Sequence, residues 1–147
     1  MNPILEIVKI YPDAILPERK SEEAAGFDLF SYCPNGIKLE PMDSVLVPTG
    51  IKIAIPIGYD AEIRPRSGLS NKHHLIIPNS PGTIDSDYRG ELLVGIFNLG
   101  KKDFFIEHKM RIAQILFRKT TVMDFSIVTQ LSGTERGEKG FGSTGLN

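Results

Sequence analysis

A chain of 147 residues, with 41% hydrophobic and 24% charged side chains, has the length and make-up of one ordinary globular domain able to bury a core. Its 17 basic and 18 acidic residues leave a formal net charge of −1. This excludes a basic field that would draw nucleic acid or anionic membrane, so an anionic ligand must be held by local charges.

The opening "MNPILEIVKIYPDAILPERK" carries acid and proline early and lacks a basic start, an apolar core and a small-residue cleavage site. No signal peptide is read there, and no apolar run in the chain is long enough to span a bilayer. "AAGFDLFS" (24–31) places Asp28 between aromatics after Gly26; taken alone, it reads as a buried or capping acid. The single Cys33 excludes an internal disulfide and a cysteine-rich metal cage, and suits a reducing cytoplasm. Pro34-Asn35-Gly36 reads as a turn.

"SVLVP" (44–48) is a β-like run, followed by a turn signal at Pro48-Thr49-Gly50. In "GIKIAIPIG", Ile51, Ile53, Ile55 and Ile57 fall two apart, which predicts four side chains on one face of a strand. "AEIRP" (61–65) is the next β-like run. In "PRSGLS" (65–70), Arg66 offers a planar fork suited to phosphate, Ser67 a hydroxyl and an amide, and Gly68 close backbone approach; a plain surface turn would use the same residues. "SGLSNKHH" (67–74) predicts a turn or two of helix, with His73 and His74 in a solvated turn. His108 stands alone, so no zinc cage is expected.

"NSPGTIDSDYRGELLVG" (79–95) reads as a hairpin, with "DSDYRG" at its bend between two β-like runs. Asp85, after the apolar Ile84, is expected to be partly buried, where a carboxylate can orient or deprotonate water. Tyr88 suits the flat underside of a sugar or base, and Asn79 a base edge. Ordinary Asx turn chemistry would also account for these acids. "ELLVGIFNLG" (91–100), "DFFIE" (103–107), "IAQILF" (112–117) and "TVMDFSIV" (121–128) continue the β pattern, with a turn at Leu99-Gly100-Lys101 and with Gln114 interrupting an apolar strand.

After Leu131 the only large hydrophobes are Phe141 and Leu146. The glycine-rich "RGEKGFGSTG" (136–145) suits phosphates, but it lacks the Walker spacing and any helix to follow. Bare amides there can cup phosphate oxygens, Arg136 and Lys139 add charge, and Phe141 suits a flat nucleobase. Many short strands spaced by glycine and proline turns predict an all-β fold: an antiparallel sandwich, jelly roll or small barrel. The expected organisation is a core over 1–131 and a flexible glycine-rich arm over 132–147.

In their order and spacing, "AAGFDLFS", "PRSGLS", "GTIDSDYRGE", "RIAQILF" and "RGEKGFGSTG" resemble the five motifs of the trimeric deoxyuridine triphosphate nucleotidohydrolases, the dUTPases. The resemblance spans residues 24–145. It implies a jelly-roll or distorted antiparallel β-barrel subunit in a homotrimer with shared active sites; the lone cysteine and the absence of a signal peptide already set a cytoplasmic location as the expectation. The implied reaction is Mg²⁺-dependent hydrolysis of dUTP to dUMP and pyrophosphate, which limits uracil in DNA and supplies dUMP for thymidylate synthesis.

Carried over by position, the resemblance implies that Asp85 holds and activates the attacking water. Tyr88 packs under the deoxyribose and leaves no space for a 2′-hydroxyl. Asn79 reads the uracil edge together with hairpin groups from Thr83 and Ile84 to Leu93. Arg66, Ser67, Gly68 and Gln114 contact phosphates, and Asp28 reaches Mg²⁺ through water. Phe141 of the arm covers the uracil, while Arg136, Gly142, Ser143 and Thr144 close on the nucleotide and its distal phosphates. Residues 1–23 are expected to supply an early strand, at a sheet edge or across the trimer. No nucleic-acid or membrane partner is expected.

Two rivals have definite signatures. A dCTP deaminase of the same fold carries a catalytic glutamate on the outgoing strand, where this chain has Gly95. A catalytically silent nucleotide-binding trimer would have lost Asp85, Tyr88 or the arm, and all are present.

Overall fold

The structure is a computed structural model, and it describes residues 2–140. Among the described residues the chain is almost entirely β. The strands are β1 (Glu6–Lys9), β2 (Phe27–Phe30), β3 (Ile37–Leu39), β4 (Ser44–Ala54), β5 (Tyr59–Arg64), β6 (Leu75–Ile76), β7 (Gly82–Ile84), β8 (Glu91–Asn98), β9 (Phe104–Ile106) and β10 (Arg111–Lys119). One short helix, α1 (Ser67–His73), falls where "SGLSNKHH" predicts it, and His74 closes it in the left-handed region at φ 57°.

Two four-stranded antiparallel sheets, ordered β1-β4-β8-β6 and β2-β10-β5-β7, face one another in a jelly roll; β3 and β9 form a small separate ladder. The alternation that predicts strands also selects the buried faces. Leu92, Val94 and Ile96 of β8 are buried, as are Val47, Ile51 and Ile53 of β4 and Ala113 and Ile115 of β10. Residues two apart share a face, so each strand contributes one apolar row to the core between the sheets. The early strand expected in residues 1–23 is β1, at a sheet edge and paired with β4.

Four expectations require correction. Pro48-Thr49-Gly50 does not turn the chain: β4 runs through it as one strand, with a shift of register against β8 between Pro48 and Lys52. Gly50, at φ 72°, lies in the resulting bulge, which holds two more residues of β4 than of β8. Polar groups at the bulge find partners: Gly50 N–H donates to Glu91 Oε1 at 2.8 Å, Thr49 Oγ1 donates to the Leu92 carbonyl at 2.7 Å, and Ile10 N–H donates to the Gly50 carbonyl at 2.8 Å. Local turn chemistry cannot distinguish a bulge inside a ladder from a reversal. Ile57 also leaves the predicted apolar row: the strand stops at Ala54, and Ile57 stands 95% exposed in the following turn, whereas Ile55 stays buried.

The segment around "DSDYRG" is not a paired hairpin. β7 pairs with β5 in one sheet and β8 pairs with β4 and β6 in the other, so the bend links two sheets. Finally, "TVMDFSIV" (121–128) forms no ladder, and its Phe125 and Ile127 are fully exposed. Its alternation is real, but among the described residues no strand edge receives it.

Candidate active site

Because β7 and β8 diverge into different sheets, an open cleft of about 420 Å³ lies between them. Asn79, Gly82, Thr83, Ile84, Leu93 and Gly95 line it, with Leu46 and Pro78 at its side. Its walls are mostly apolar, with Asn79, Thr83 and Ser44 as the polar lining residues, the arrangement of a small planar ligand's pocket. Glycine at 82 gives the Asn79 amide room, since a Cβ there would sit 3.0 Å from Asn79 Nδ2. The chain leaves the cleft at Asp85.

Asp85 is exposed rather than partly buried, and among the described residues its carboxylate has no hydrogen-bond or ion-pair partner. The bend rather than a ladder carries it, so no sheet covers it. Tyr88 is also exposed, but its ring is fixed: the hydroxyl donates to the Glu91 carbonyl at 2.9 Å, and Tyr88 N–H donates to the Asp85 carbonyl at 3.2 Å. Gly90 lets the ring lie against the bend, since a Cβ at Gly90 would collide with the Tyr88 hydroxyl and ring.

A second cluster forms where β2, β10 and the start of α1 meet. The register sets Gln114 of β10 opposite Asp28 of β2 on one side and opposite Arg64 of β5 on the other. Asp28, whose side chain is 13% exposed, receives Arg66 Nε at 3.1 Å on one oxygen and Arg111 Nη1 at 3.3 Å on the other. Arg66 Nη1 donates to the Arg111 carbonyl at 3.3 Å. Gln114 Nε2 donates to the Pro65 carbonyl at 3.0 Å. Gly26 gives Gln114 its place, because a Cβ at Gly26 would lie 2.6 Å from Gln114 Oε1. Ser67 and Gly68 are exposed at the opening turn of α1, where backbone N–H groups have no helical acceptor.

The expected site residues thus fall into groups. Asn79, Thr83, Ile84 and Leu93 share the cleft, and Asp85 and Tyr88 stand on the bend beyond it. Arg66, Asp28 and Gln114 share the second cluster, and none of the three lines the cleft. Arg136 belongs to neither, since its Nε donates to the Lys139 carbonyl at 2.9 Å within a local turn. Phe141, Gly142, Ser143 and Thr144 lie outside the described residues. Arg111, whose charge stands at the head of "RIAQILF", joins the second cluster although its motif alone does not mark it as a site residue.

Among the described residues no three His, Cys, Asp or Glu side chains converge as a metal cage. Asp28 is capped on both oxygens by arginine, whose positive charges oppose direct ligation of a cation. Each oxygen retains a lone pair able to accept from a metal-bound water. The donor set therefore fits a hydrated Mg²⁺ that arrives with phosphate oxygens, and does not fit a caged ion.

Comparison with known proteins gives a consistent result. A family model for dUTPase matches residues 12–145. The deoxyuridine 5′-triphosphate nucleotidohydrolase of Leptospira interrogans (serovar copenhageni) is 52% identical over 140 residues, 95% of this chain and 97% of that protein. The enzyme of the same name from Orientia tsutsugamushi (strain Ikeda) is 48% identical over 143 residues, covering 97% of both chains. The fold superposes on the dUTPase of Staphylococcus bacteriophage 80alpha bound to dUPNHPP with a TM-score of 0.91 and 30% identity, covering 99% of this chain and 100% of that one.

Proposed function

The chain belongs to the dUTPase family, and from this premise we infer that it hydrolyses dUTP to dUMP and pyrophosphate, cleaving the anhydride between the α- and β-phosphates. The observation that carries the reading is the cleft between the two sheets, with Asn79 and residues 82–84 in its wall and Asp85 next in the chain.

Uracil enters that cleft and is read by Asn79 and by main-chain groups from Thr83 to Leu93. Hydrogen bonds there reject cytosine through mispaired donors, and the narrow wall rejects the methyl of thymine. Tyr88, held by its bond to the Glu91 carbonyl, packs under the deoxyribose and excludes a 2′-hydroxyl. Asp85 accepts the proton of the attacking water. Its exposure leaves it free to meet that water, and its carboxylate need break no ion pair to do so. Arg66, Ser67, Gly68 and Gln114 bind phosphate oxygens, where positioning and charge neutralisation do most of the work of phosphoryl transfer. Asp28 would hold Mg²⁺ through water, and the ion would add charge neutralisation of the triphosphate.

None of Arg66, Asp28, Arg111 and Gln114 lines the cleft of its own chain, which supports a site completed by other copies in a homotrimer. The alternating exposed side chains Met123, Phe125 and Ile127, which pair with no strand among the described residues, together with the exposed β1 edge, support the same assembly. The glycine-rich arm over 132–147 then closes on nucleotide bound largely by neighbouring copies, with Arg136, Gly142, Ser143 and Thr144 gripping phosphates and Phe141 covering the base. We place the protein in the cytoplasm, where its buried thiol at Cys33 stays reduced. Among the described residues no helix is long and apolar enough to cross a membrane.

The test is pyrophosphate release from dUTP, with dCTP, dTTP and UTP in parallel, each with and without Mg²⁺. Release from dUTP alone and only with Mg²⁺ is expected. Ammonia from dCTP, or silence with dUTP, would overturn the assignment.

A further inference from the structure

Arg111 has no role in the reading above, yet it is tied to Arg66 twice. It shares the Asp28 carboxylate with Arg66, and its own carbonyl accepts from Arg66 Nη1 at 3.3 Å. Arg66 and Asp28 are largely buried for their type, with side chains 27% and 13% exposed, whereas the Arg111 side chain is 42% exposed. A lone carboxylate beside Arg66 would fix its fork but cancel its charge. With a second guanidinium on the other oxygen, the trio keeps one net positive charge while Asp28 still orients both forks.

We propose that Arg111 is a positioning residue for phosphate binding: through Asp28 and its own carbonyl it holds Arg66 in a fixed, net-cationic pose for the triphosphate. This rests on the dUTPase reading and assigns Arg111 no contact with the substrate. The geometry also explains why Arg66 can lead α1 from an extended N-cap at φ −90°, ψ 132° with no side-chain cap: its side chain is committed sideways to β2 and β10.

The test is a double-mutant cycle on Arg66→Ala and Arg111→Ala. It is read by the dissociation constant of a non-hydrolysable dUTP analogue at saturating Mg²⁺, with 2′-deoxyuridine titrated by NMR in parallel. Arg111→Ala is expected to weaken the analogue about three- to tenfold and leave deoxyuridine unchanged, and the double variant to be no weaker than Arg66→Ala alone. Arg111→Lys, which keeps the charge without the fork, guards against a folding defect in the alanine variant and should fall between wild type and Arg111→Ala. Equal loss for both ligands, additive losses in the cycle, or no loss in either Arg111 variant would each overturn the proposal. If the wild type binds neither ligand, the functional reading falls first and this one with it.

Discussion

Gly26→Ala separates the needs of the fold from those of the site. Gly26 does not occupy the left-handed region, so alanine fits its backbone and reduces unfolded-chain entropy, a gain of about 0.4–1 kcal/mol. The new methyl would lie 2.6 Å from Gln114 Oε1 and 3.4 Å from Leu116 Cδ1. Leu116 tolerates that distance, but the amide has to swing away and release the Pro65 carbonyl. Losing that bond costs about 0.5–1.5 kcal/mol, which nearly cancels the entropy gain. The melting temperature should therefore move by no more than about 4 °C in either direction. Activity has no such compensation. A hydrogen bond to a charged group is worth about 1.5–3 kcal/mol, so displacing Gln114 from the phosphates should lower kcat/KM roughly ten- to hundredfold. Steady-state pyrophosphate release and a thermal melt read both quantities, with Gln114→Ala as the companion variant. Normal kcat/KM in Gly26→Ala, while Gln114→Ala is impaired, would show that the glycine does not place the amide.

Further outcomes follow from the same geometry. Asp85→Asn should leave binding of a non-hydrolysable analogue near wild type and lower turnover about 10²–10⁴-fold; near-normal turnover would remove Asp85 from proton transfer. Truncation after Leu131 should retain the β-sheet circular dichroism and the thermal transition of the full chain while losing most turnover, and an unfolded product would show that the tail belongs to the core. The Asp13 carboxyl is held below its ordinary 3.8 by a hydrogen bond from Lys109, then by one from Tyr32. A depressed folded-state pKa gives stability that is complete above 3.8 and fades as pH falls through the lower folded value. The gap in melting temperature between wild type and Lys109→Ala should accordingly narrow below pH 3.8, and a gap independent of pH would contradict this.

The legible parts of the fold were those written at short range. Ile51, Ile53 and Leu92, Val94, Ile96 announce strands because burial of one face imposes a period of two. The seven residues of α1 were legible for a similar local reason. What Pro48-Thr49-Gly50 does was not, since the bulge exists only against β8, with Glu91 supplying its acceptor. Nor could residues 82–96 reveal that their two strands enter different sheets, a choice made by β5 and β4. Asp85 and Tyr88 were found as residue types in a motif, but their exposure follows from that sheet-crossing bend. The Asp28–Arg66–Arg111 cluster joins side chains 38 and 83 residues apart. Only long-range register creates it, and Arg111 was overlooked for that reason.

That register also sets when the cluster can exist. Asp28 waits on β2 for a strand that ends at Lys119, and β10 must pair with both β2 and β5 before Gln114 and Arg111 come opposite their partners. Closing so long a loop has an entropic cost that only the completed sheet offsets, which makes such pairings slow and late. A nascent chain therefore carries its arginines and Asp28 as separate surface charges until the last core strand has emerged. During refolding, phosphate affinity should return with the burial of β10 and never ahead of it.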